Sequence, residues 1–390
     1  QLLVIQRFFS GIDKFPLMAI PFFILAGNLM ARGGMSRRLI DFASALMRPV
    51  TGGLGVTTVT SAMFFSAISG SSPATVIAVG KTMLPAMVAQ GYGRAFPIGL
   101  LMSSGAMGII IPPSIFMIVY GAVTGASIGA LFIAGIGAGL VYGLLFMAVC
   151  VIYARATGMR DAAPWNLSEI LNTGRTCLWG LAAPMIILGG IYGGIFTPTE
   201  AAAIAVAYAM FVSIVIYREM TLRDVVACAV ESAVTTAQVM IIIAAASVFA
   251  WYLTTSGVSR VVEGVLVGFS QNPVQLLLVI NLIILVAGMV LDPNSIIIIL
   301  VPFIAPVAIA AGIDPTHLGI ILAVNAAIGM FSPPFGLNLF VSVSLGVTFR
   351  EAIVGSLPFI AVGLVALMII TFVPAVTLWL PAQFYDNIAF

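Results

Sequence analysis

The feature that most constrains this chain is the length of its uncharged stretches. Segments such as Arg48–Lys81, Arg94–Arg155 and Glu263–Asp292 carry no charged residue between their ends. A membrane-spanning helix needs roughly 20 apolar residues, and the second of these segments is long enough for two. Charged residues make up 7% of the 390 residues, against about 25% in soluble domains. We therefore predict an all-α polytopic membrane protein, and not a β-barrel, because the apolar runs are continuous instead of alternating.

Composition also excludes several kinds of function. The net charge is only +2, so nothing indicates nucleic-acid binding. Cys150, Cys177 and Cys228 lie far apart without metal-ligand spacing, and we interpret them as small buried side chains. No HExxH, GxSxG or CxxC motif occurs, which argues against an enzyme. The chain starts without Met in a mixed segment, QLLVIQRFFSGIDKFP, and we expect it to begin inside a longer protein.

Hydropathy divides the chain into five parts, with soft boundaries. The first part (1–50) is a scaffold helix at 15–31 with an amphipathic arm at 33–50, and the second (51–153) is a first transport part with a hairpin at 52–90, a broken helix at 95–120 and a crossing at 127–153. The third part (154–272) contains scaffold helices and a connecting arm: a polar loop at 154–178, crossings at 179–196, 199–217 and 224–257, and an interfacial stretch at 258–272. The fourth (273–350) is a second transport part with a hairpin at 274–311 and a broken helix at 315–345, and the fifth (351–390) is a C-terminal helix.

The distribution of basic residues predicts that both hairpins are re-entrant. Cytoplasmic loops carry an excess of Lys and Arg. If residues 33–50 are cytoplasmic and each hairpin returns to its own side, three basic residues fall outside: Arg7, Lys14 and Arg260. Eleven fall inside: Arg32, Arg37, Arg38, Arg48, Arg94, Arg155, Arg160, Arg175, Arg218, Arg223 and Arg350. Hairpins that crossed the membrane fully would blur this separation.

An internal repeat appears when the sequence is shifted by 221 residues. The shift carries Pro85 onto Pro306, Gly91 onto Gly312, and Pro112–Pro113 onto Pro333–Pro334. Five crossings separate the equivalent points Arg94 and Pro315, so the second copy should be upside down. Inverted repeats with interrupted hydrophobic segments are typical of secondary transporters, whose substrate and ion sites lie near the membrane midplane.

The tip of the first hairpin carries polar residues in the middle of an apolar stretch: Ser69, Gly70, Ser71 and Ser72. Ser72 before Pro73 predicts an N-cap and a half-helix over 74–90. The free N–H groups of such a helix start suit an anion, and the tip's hydroxyls and carbonyls suit a cation. The structural alternative is a serine-rich kink satisfied by neighbouring helices.

The second hairpin has a similar tip, in which Asp292 and Pro293 are followed by Asn294 and Ser295. An ionisable residue at membrane depth usually has a function. Asp292 is thus our best candidate for a buried functional carboxylate. A plain structural N-cap is the competing interpretation.

The two broken helices interrupt their hydrogen bonding at Pro-Pro pairs, in GAMGIIIPPSIFM (105–117) and AAIGMFSPPFGLNLF (326–340). Two prolines free several carbonyls, so those of 108–112 and 329–333 are candidate ligands of a monovalent cation; ordinary kinks are the alternative. Nearby polar groups are Ser103, Ser104, Ser114, Asn325, Ser332 and Asn338. By contrast, TPTE at 197–200 reads as a structural capping box. We expect His317, the only histidine, to be interfacial and not a proton relay.

Four separated blocks resemble the large membrane (M) subunit of tripartite ATP-independent periplasmic (TRAP) transporters. They are SGSSPATVIAVG (69–80), GIIIPPSIFMIVYG (108–121), FTPTEAAAIAVAYA (196–209) and LDPNSIIIILVPFIAPVAIAAGIDPTHLGIILAVNAAIGMFSPPFGLNLFV (291–341). The resemblance runs from about Phe15 to the C-terminus. It implies a Na⁺-driven importer of the bacterial inner membrane that moves by an elevator mechanism. It also implies a small four-helix membrane subunit (Q), a periplasmic substrate-binding protein (P) and a small organic acid of the sialic acid or C4-dicarboxylate class.

The resemblance and the tip chemistry together assign candidate roles. A first Na⁺ site would use Ser69, Gly70, Gly108, Ile111 and Pro112, and a second would use Asp292, Ser295, Gly329, Ser332 and Pro333. Candidate substrate contacts are Ser69, Ser71, Ser72, Ser103, Ser104, Ser114, Asp292, Asn294 and Asn325. We expect two or more Na⁺ ions.

Other functions stay open at this point. A channel would not need two inverted hairpin sites, and no charged ring or filter is visible. An intramembrane enzyme lacks a catalytic motif, and a pure scaffold leaves Asp292 and the serine cluster without a role. Proton coupling is a further alternative, although one histidine and one buried aspartate are few titratable groups for a proton relay.

Overall fold

The computed structural model describes residues 2–159, 162–257, 264, 268–269 and 272–385, and this part of the chain is helical without strands. The helices are α1 (Leu2–Ile12), α2 (Ala19–Arg32, after a 3₁₀ turn at Phe15–Met18), α3 (Met35–Met47), α4 (Gly53–Ser69), α5 (Ser72–Ala89), α6 (Ala95–Gly105, continued by a 3₁₀ turn at Ala106–Ile109), α7 (Ile115–Thr124), α8 (Ile128–Ala156), α9 (Leu167–Tyr192), α10 (Pro198–Phe211, continued by a π turn at Val212–Ile216), α11 (Leu222–Thr255), α12 (Pro273–Gly288), α13 (Pro293–Ala310), α14 (Pro315–Met330), α15 (Leu337–Val343), α16 (Phe349–Phe372) and α17 (Ala375–Leu378, before a 3₁₀ turn at Pro381–Gln383).

Within the described residues, eight helical segments are long and apolar enough to cross a membrane: Phe15–Arg32, α5, α8, α9, α10 with its π turn, α11, α13 and α16. Two of them, α5 and α13, are the second arms of hairpins and pack against the first arms α4 and α12. Length alone therefore does not make α5 and α13 crossings. The predicted hairpins and both broken helices are present.

The repeat is visible in the helix bounds. The offset of 221 residues carries α5 onto α13 from end to end. It also carries Ser127, the N-cap of α8, onto Thr348, the N-cap of α16. Gly91 and its equivalent Gly312 both have positive φ, as do Gly125 and Gly346. The duplication thus extends beyond the second halves of the broken helices.

The two repeats exchange contacts. Helix α7 packs against α13 of the other repeat, and its equivalent α15 packs against α5. Helix α8 packs against α14, and its equivalent α16 packs against α6. The α6–α16 contact is so close that a Cβ on Gly99 would lie 1.9 Å from the Gly355 carbonyl oxygen. Each repeat therefore completes the packing of the other.

The remaining long helices form an outer group: α1, α2, α3, α9, α10 and α11, which pack on one another. The amphipathic helix α3 buries Met35, Leu39 and Ile40. Two ion pairs join this arm to its neighbours: Arg38 to Glu219 at 2.6 Å, in the segment before α11, and Arg48, just after α3, to Glu169 of α9. The arm is thus held at two points.

Three expectations about segments need comment. The polar loop at 154–178 is wrong, because α9 begins at Leu167, where the Asn166 side chain accepts a hydrogen bond from the Glu169 N–H. The opening segment is not merely mixed, since residues 2–12 form α1, which packs on α11. The predicted interfacial stretch 258–272 lies mostly outside the described residues.

Candidate functional site

The tip of the first hairpin lies against the break of the first broken helix. A Cβ on Gly108 would lie 2.6 Å from the Ser71 carbonyl carbon, and one on Gly70 would lie 2.5 Å from the Pro113 oxygen. Such distances leave no room for a side chain. Gly70 also has a φ of +59°, which reverses the chain between α4 and α5. The structure therefore brings together the tip and the break that were predicted to pair.

The second hairpin repeats this arrangement. The Phe335 N–H of the second break donates to the Met289 carbonyl at 3.1 Å. A Cβ on Gly329 would lie 2.6 Å from the backbone of Gly288. Each break contains a cis Pro-Pro bond, Pro112–Pro113 and Pro333–Pro334. The two sites thus share one backbone design.

Carbonyl oxygens converge at the second break. A Cβ on Gly336 would lie 2.6–2.8 Å from the carbonyl oxygens of Met330, Ser332 and Gly329. No group of three His, Cys, Asp or Glu side chains able to hold a metal occurs in the described part of the chain. The ligands available to a cation are backbone carbonyls and hydroxyls at both tips, with the Asp292 carboxylate in addition at the second, and oxygen ligands are those that hard cations prefer.

The start of α5 corrects one sequence prediction. Ser72 is not the N-cap: the helix begins at Ser72, and Ser71 is the N-cap, without a side-chain capping bond. The Ser72 hydroxyl instead lies 2.8 Å from the Asn338 Nδ2, across the repeat boundary. Asn338 also donates to the Met102 carbonyl at 2.9 Å. Ser72 thus links the two repeats, while the first turn of α5 keeps amides that no side chain caps.

Asp292 occupies the position equivalent to Ser71 and does cap its helix. Its Oδ2 accepts from the N–H groups of Asn294 at 3.0 Å and Ser295 at 3.2 Å. The Ser295 hydroxyl donates to Oδ1. The capping role is thus present, and no hydrogen bond joins Asp292 to the first tip within the described residues.

The other predicted polar residues divide into two classes. Several hydroxyls are satisfied locally: Ser69 by Thr75 at 3.2 Å, Ser103 by the Leu100 carbonyl at 3.0 Å, Ser114 by the Ile109 carbonyl at 2.8 Å, and Ser332 by the Ile328 carbonyl at 2.7 Å. Two buried oxygens have no partner among the described residues, Ser104 Oγ and Asn325 Oδ1. These two residues are equivalent in the repeat, each one helical turn before the break glycine.

A buried polar chain runs from Asn325 to the only histidine. Asn325 Nδ2 donates to Asn281 Oδ1 at 2.7 Å, and Asn281 Nδ2 donates to the Thr371 hydroxyl at 3.1 Å. His317 contacts the Thr371 carbonyl at 3.2 Å and the Thr377 hydroxyl at 2.7 Å. His317 is 4% exposed, so it is enclosed by protein and does not lie on the outer surface of the helices. Only the single Asn281 inside an apolar arm signals this chain in the sequence.

Comparison with known proteins gives a consistent result. Residues 1–376 match the family model described as "Tripartite ATP-independent periplasmic transporter, DctM component". The C4-dicarboxylate TRAP transporter large permease protein of Pseudomonas aeruginosa is 46% identical over 380 residues, covering 96% of this chain and 88% of that protein. The isethionate TRAP transporter permease protein DctMQ of Oleidesulfovibrio alaskensis is 40% identical, covering 96% and 60%.

One solved structure has a similar fold. It is the crystal structure of the Alcanivorax borkumensis YdaH transporter, described as having an unusual topology. It superposes with a TM-score of 0.67 at 13% sequence identity, covering 94% of this chain and 86% of that one. This similarity concerns the fold alone.

Proposed function

The chain belongs to the DctM family, the large permease component of TRAP transporters, and we propose that it imports a small organic anion coupled to Na⁺. Its relatives are transporter permeases, so it is a carrier subunit and not an enzyme. The observation that carries the proposal is the paired contact of each hairpin tip with a broken helix. Unwound backbone at membrane depth is tolerated where it lines a binding site or is buried in protein.

The cation sites follow from that pairing. The first would combine Ser69 and Gly70 with carbonyls at Gly108, Ile111 and Pro112, all of them buried. The second would combine Asp292 and Ser295 with Gly329, Ser332 and Pro333. Its support is the convergence of the Gly329 and Ser332 carbonyl oxygens beside Gly336. Two ions would enter with each substrate.

The anion would bind between the tips. In the first turn of α5 the N–H groups of Ser72 and Ala74 have no side-chain cap, and Pro73 has no N–H. By contrast, Asp292 already accepts from the N–H groups of Asn294 and Ser295 in α13. A helix start attracts negative charge, so a substrate carboxylate would bind at Ser71 and Ser72. Polar groups of the substrate would reach Ser104 and Asn325, whose oxygens have no protein partner within the described residues.

The substrate class comes from the relatives. One relative is named for C4-dicarboxylates and another for isethionate, which are both small organic anions. We therefore propose a C4-dicarboxylate type of substrate; neither relative is named for the sialic acid that the family resemblance also implies. Asn294, Ser103 and Ser114 would lie at the margin of its site, the two serines with hydroxyls already bonded to backbone.

The proposal includes a complete transport system. A periplasmic binding protein would deliver the substrate, and a small membrane subunit would pack on the outer helices; the DctMQ name of one relative supports such a companion. The protein would reside in the bacterial inner membrane. The hairpins and broken helices would move as one elevator unit against the outer helices.

Ion replacement in proteoliposomes tests the coupling. The complete system is loaded with binding protein and labelled substrate, and external Na⁺ is exchanged for K⁺ while a proton gradient is kept. We expect saturable uptake in Na⁺ and none in K⁺. Uptake that persists in K⁺ would exclude sodium coupling, and uptake that does not saturate would indicate a channel.

The buried chain at His317 favours proton coupling as the second candidate function. It links a titratable side chain to Asn325, one turn before the second break, through three hydrogen bonds by way of Asn281 and Thr371. Proton relays in transporters use buried His, Asp and Glu. If protons drive transport, His317→Gln should abolish the uptake seen in K⁺. Under sodium coupling the same variant should keep its Na⁺ dependence.

A further inference from the structure

A cavity of about 440 Å³ lies between the outer helices and the repeats, away from both tips. Its outer wall consists of one face of the N-terminal segment, including Arg7, Ser10 and Lys14, and one face of α11, including Ser247 and Trp251. The opposite wall comes from α7 and α13. Its size is within the range of small-molecule sites.

The two walls differ in chemistry. Every polar or charged side chain that lines the cavity is on the outer wall, whereas the repeat wall is made of Val119, Ala122, Val123, Ile298 and Pro302. A ligand complementary to both walls has an anionic end and an apolar end. A fully hydrated small ion would leave the repeat wall unmatched.

The cations on the outer wall have no acidic partner. Neither Arg7 nor Lys14 forms an ion pair within the described residues. Lys14 Nζ donates to the Ala122 carbonyl at 2.9 Å, at the last turn of α7. Burial lowers the pKa of the Lys14 ammonium, as expected where no carboxylate compensates the charge. Asp13 lies next in sequence, but it is exposed and does not line the cavity.

Aromatic residues beside the cavity indicate that it lies near the edge of a bilayer. Trp251 and the exposed Tyr252 lie in the last turn and a half of α11, which ends at Thr255. Trp and Tyr concentrate at the level of lipid headgroups. Basic pockets between membrane helices on the cytoplasmic side bind anionic headgroups. The predicted orientation places Arg7 and Lys14 on the opposite side, where the same charge complementarity would act on headgroups of the outer leaflet.

We propose that this cavity binds an anionic phospholipid. The headgroup phosphate pairs with Arg7 and Lys14, with the hydroxyls of Ser10 and Ser247 nearby, and an acyl chain lies along α7 and α13. The lipid would thereby occupy the boundary between the outer helices and the repeats.

Fluorescence of Trp251 tests the proposal without any transport measurement, so the result is independent of the substrate and the coupling ion. Trp165, Trp179 and Trp379 are replaced by Phe in the full chain. The delipidated protein is titrated in detergent with dioctanoyl phosphatidylglycerol, with dioctanoyl phosphatidylcholine, and with succinate. We expect a saturable change with phosphatidylglycerol at concentrations about tenfold lower than with phosphatidylcholine, and none with succinate.

Variants decide between the outcomes. Arg7→Gln with Lys14→Gln should weaken phosphatidylglycerol binding about tenfold or more. Lys14→Arg should bind like the parent, and so should the control Arg37→Gln, which changes an exposed residue of α3. Circular dichroism shows whether each variant is folded. If the double variant is unfolded, the single variant Lys14→Gln is used in its place. Equal binding of both lipids, unchanged binding by the glutamine variants, or the same saturation with succinate would overturn the proposal.

Discussion

The two repeats contain the same contact between a hairpin tip and a broken helix, but its surroundings differ between them. The first tip is buried at Ser69 and Gly70, and α2 covers it so closely that a Cβ on Gly27 would lie 3.1 Å from the Ser69 Cα. The second tip is uncovered, with Val290 61% exposed and Phe335 of its break 59% exposed. Alternating access exposes a central site to one side of the membrane at a time, and a covered tip opposite an uncovered one is an asymmetry that such a mechanism could use.

The helix starts differ in the same way. Position 71 holds a neutral serine that does not cap α5, and the equivalent position 292 holds a carboxylate that caps α13. The first repeat thus leaves amides for an anion, and the second supplies a negative charge beside converging carbonyls. Under the proposed function, the helix start of the first repeat would bind the substrate anion beside the cation of its tip, and the helix start of the second repeat would serve a cation alone.

Cysteine labelling at equivalent positions tests directly whether the two repeats are inverted. Ala89 and Ala310 end the second arms of the two hairpins, and both are exposed. If the repeats are inverted, Ala89→Cys should react with an impermeant maleimide only from the cytoplasm, and Ala310→Cys only from the periplasm. Native Cys150, Cys177 and Cys228 are buried and give little background. Labelling of both from one side would remove the inverted relation.

Adding one carbon at the break glycines tests whether the tips must touch the breaks. Gly108→Ala and Gly329→Ala each place a Cβ 2.6 Å from backbone atoms, and overpacking of this kind costs about 1–3 kcal/mol. We expect uptake to fall about tenfold or more in both. The buried first break should suffer more, because the exposed second tip can shift.

The control for this pair is Gly189→Ala, whose Cβ would meet nothing within 4 Å. Uptake is measured at equal membrane abundance, with thermal unfolding alongside. Wild-type uptake by Gly108→Ala would show that the first tip does not need its close contact.

Substitutions of Asp292 separate the effect of its negative charge from the effect of its capping hydrogen bonds. Asp292→Asn keeps an acceptor for the amides of Asn294 and Ser295 but removes the charge, and we expect it to fold normally yet lose most transport. Asp292→Ala should also lose about 0.5–2 kcal/mol of stability, the value of an N-cap. Ser71→Ala, which removes no capping bond, should unfold like wild type. Normal uptake by Asp292→Asn would reduce this residue to a structural cap.

The smallest expected effect concerns the bond between Ser72 and Asn338. A double-mutant cycle of Ser72→Ala and Asn338→Ala should give a coupling of about 1 kcal/mol in the free energy of unfolding. The matched cycle of Ser72→Ala with Asn325→Ala, which are not bonded to each other, should give a coupling near zero. Equal couplings would mean that the hydroxyl does not join the repeats.

Local signals predicted the hairpins and breaks well. Gly and Pro fix chain reversals and interruptions within a few residues, so the tips at Gly70 and Asp292 were located from sequence. The N-cap of α5 was misplaced by one residue, because Ser-Ser-Pro allows Pro73 at either the first or the second helical position. The start of α9 was missed because its cap, Asn166, lies in a polar segment that reads as a loop.

Contacts between distant segments could not be predicted. His317 meets Thr377 over 60 residues, and Ser72 meets Asn338 over 266. Nothing in the local pattern around either residue specifies such a partner, because burial depends on how the repeats pack. For the same reason the sequence did not show that one tip is covered and the other open.

The exchanged packing of α8 and α16 has a consequence for how the chain is made. Helix α6 of the first repeat is covered by α16, which is synthesised more than 250 residues later. The glycine contact between Gly99 and Gly355 therefore cannot form until α16 has been synthesised. Before that point, the face of α6 that packs on α16 has no partner. A chain truncated after α15 should therefore expose this face and be degraded more readily by proteases.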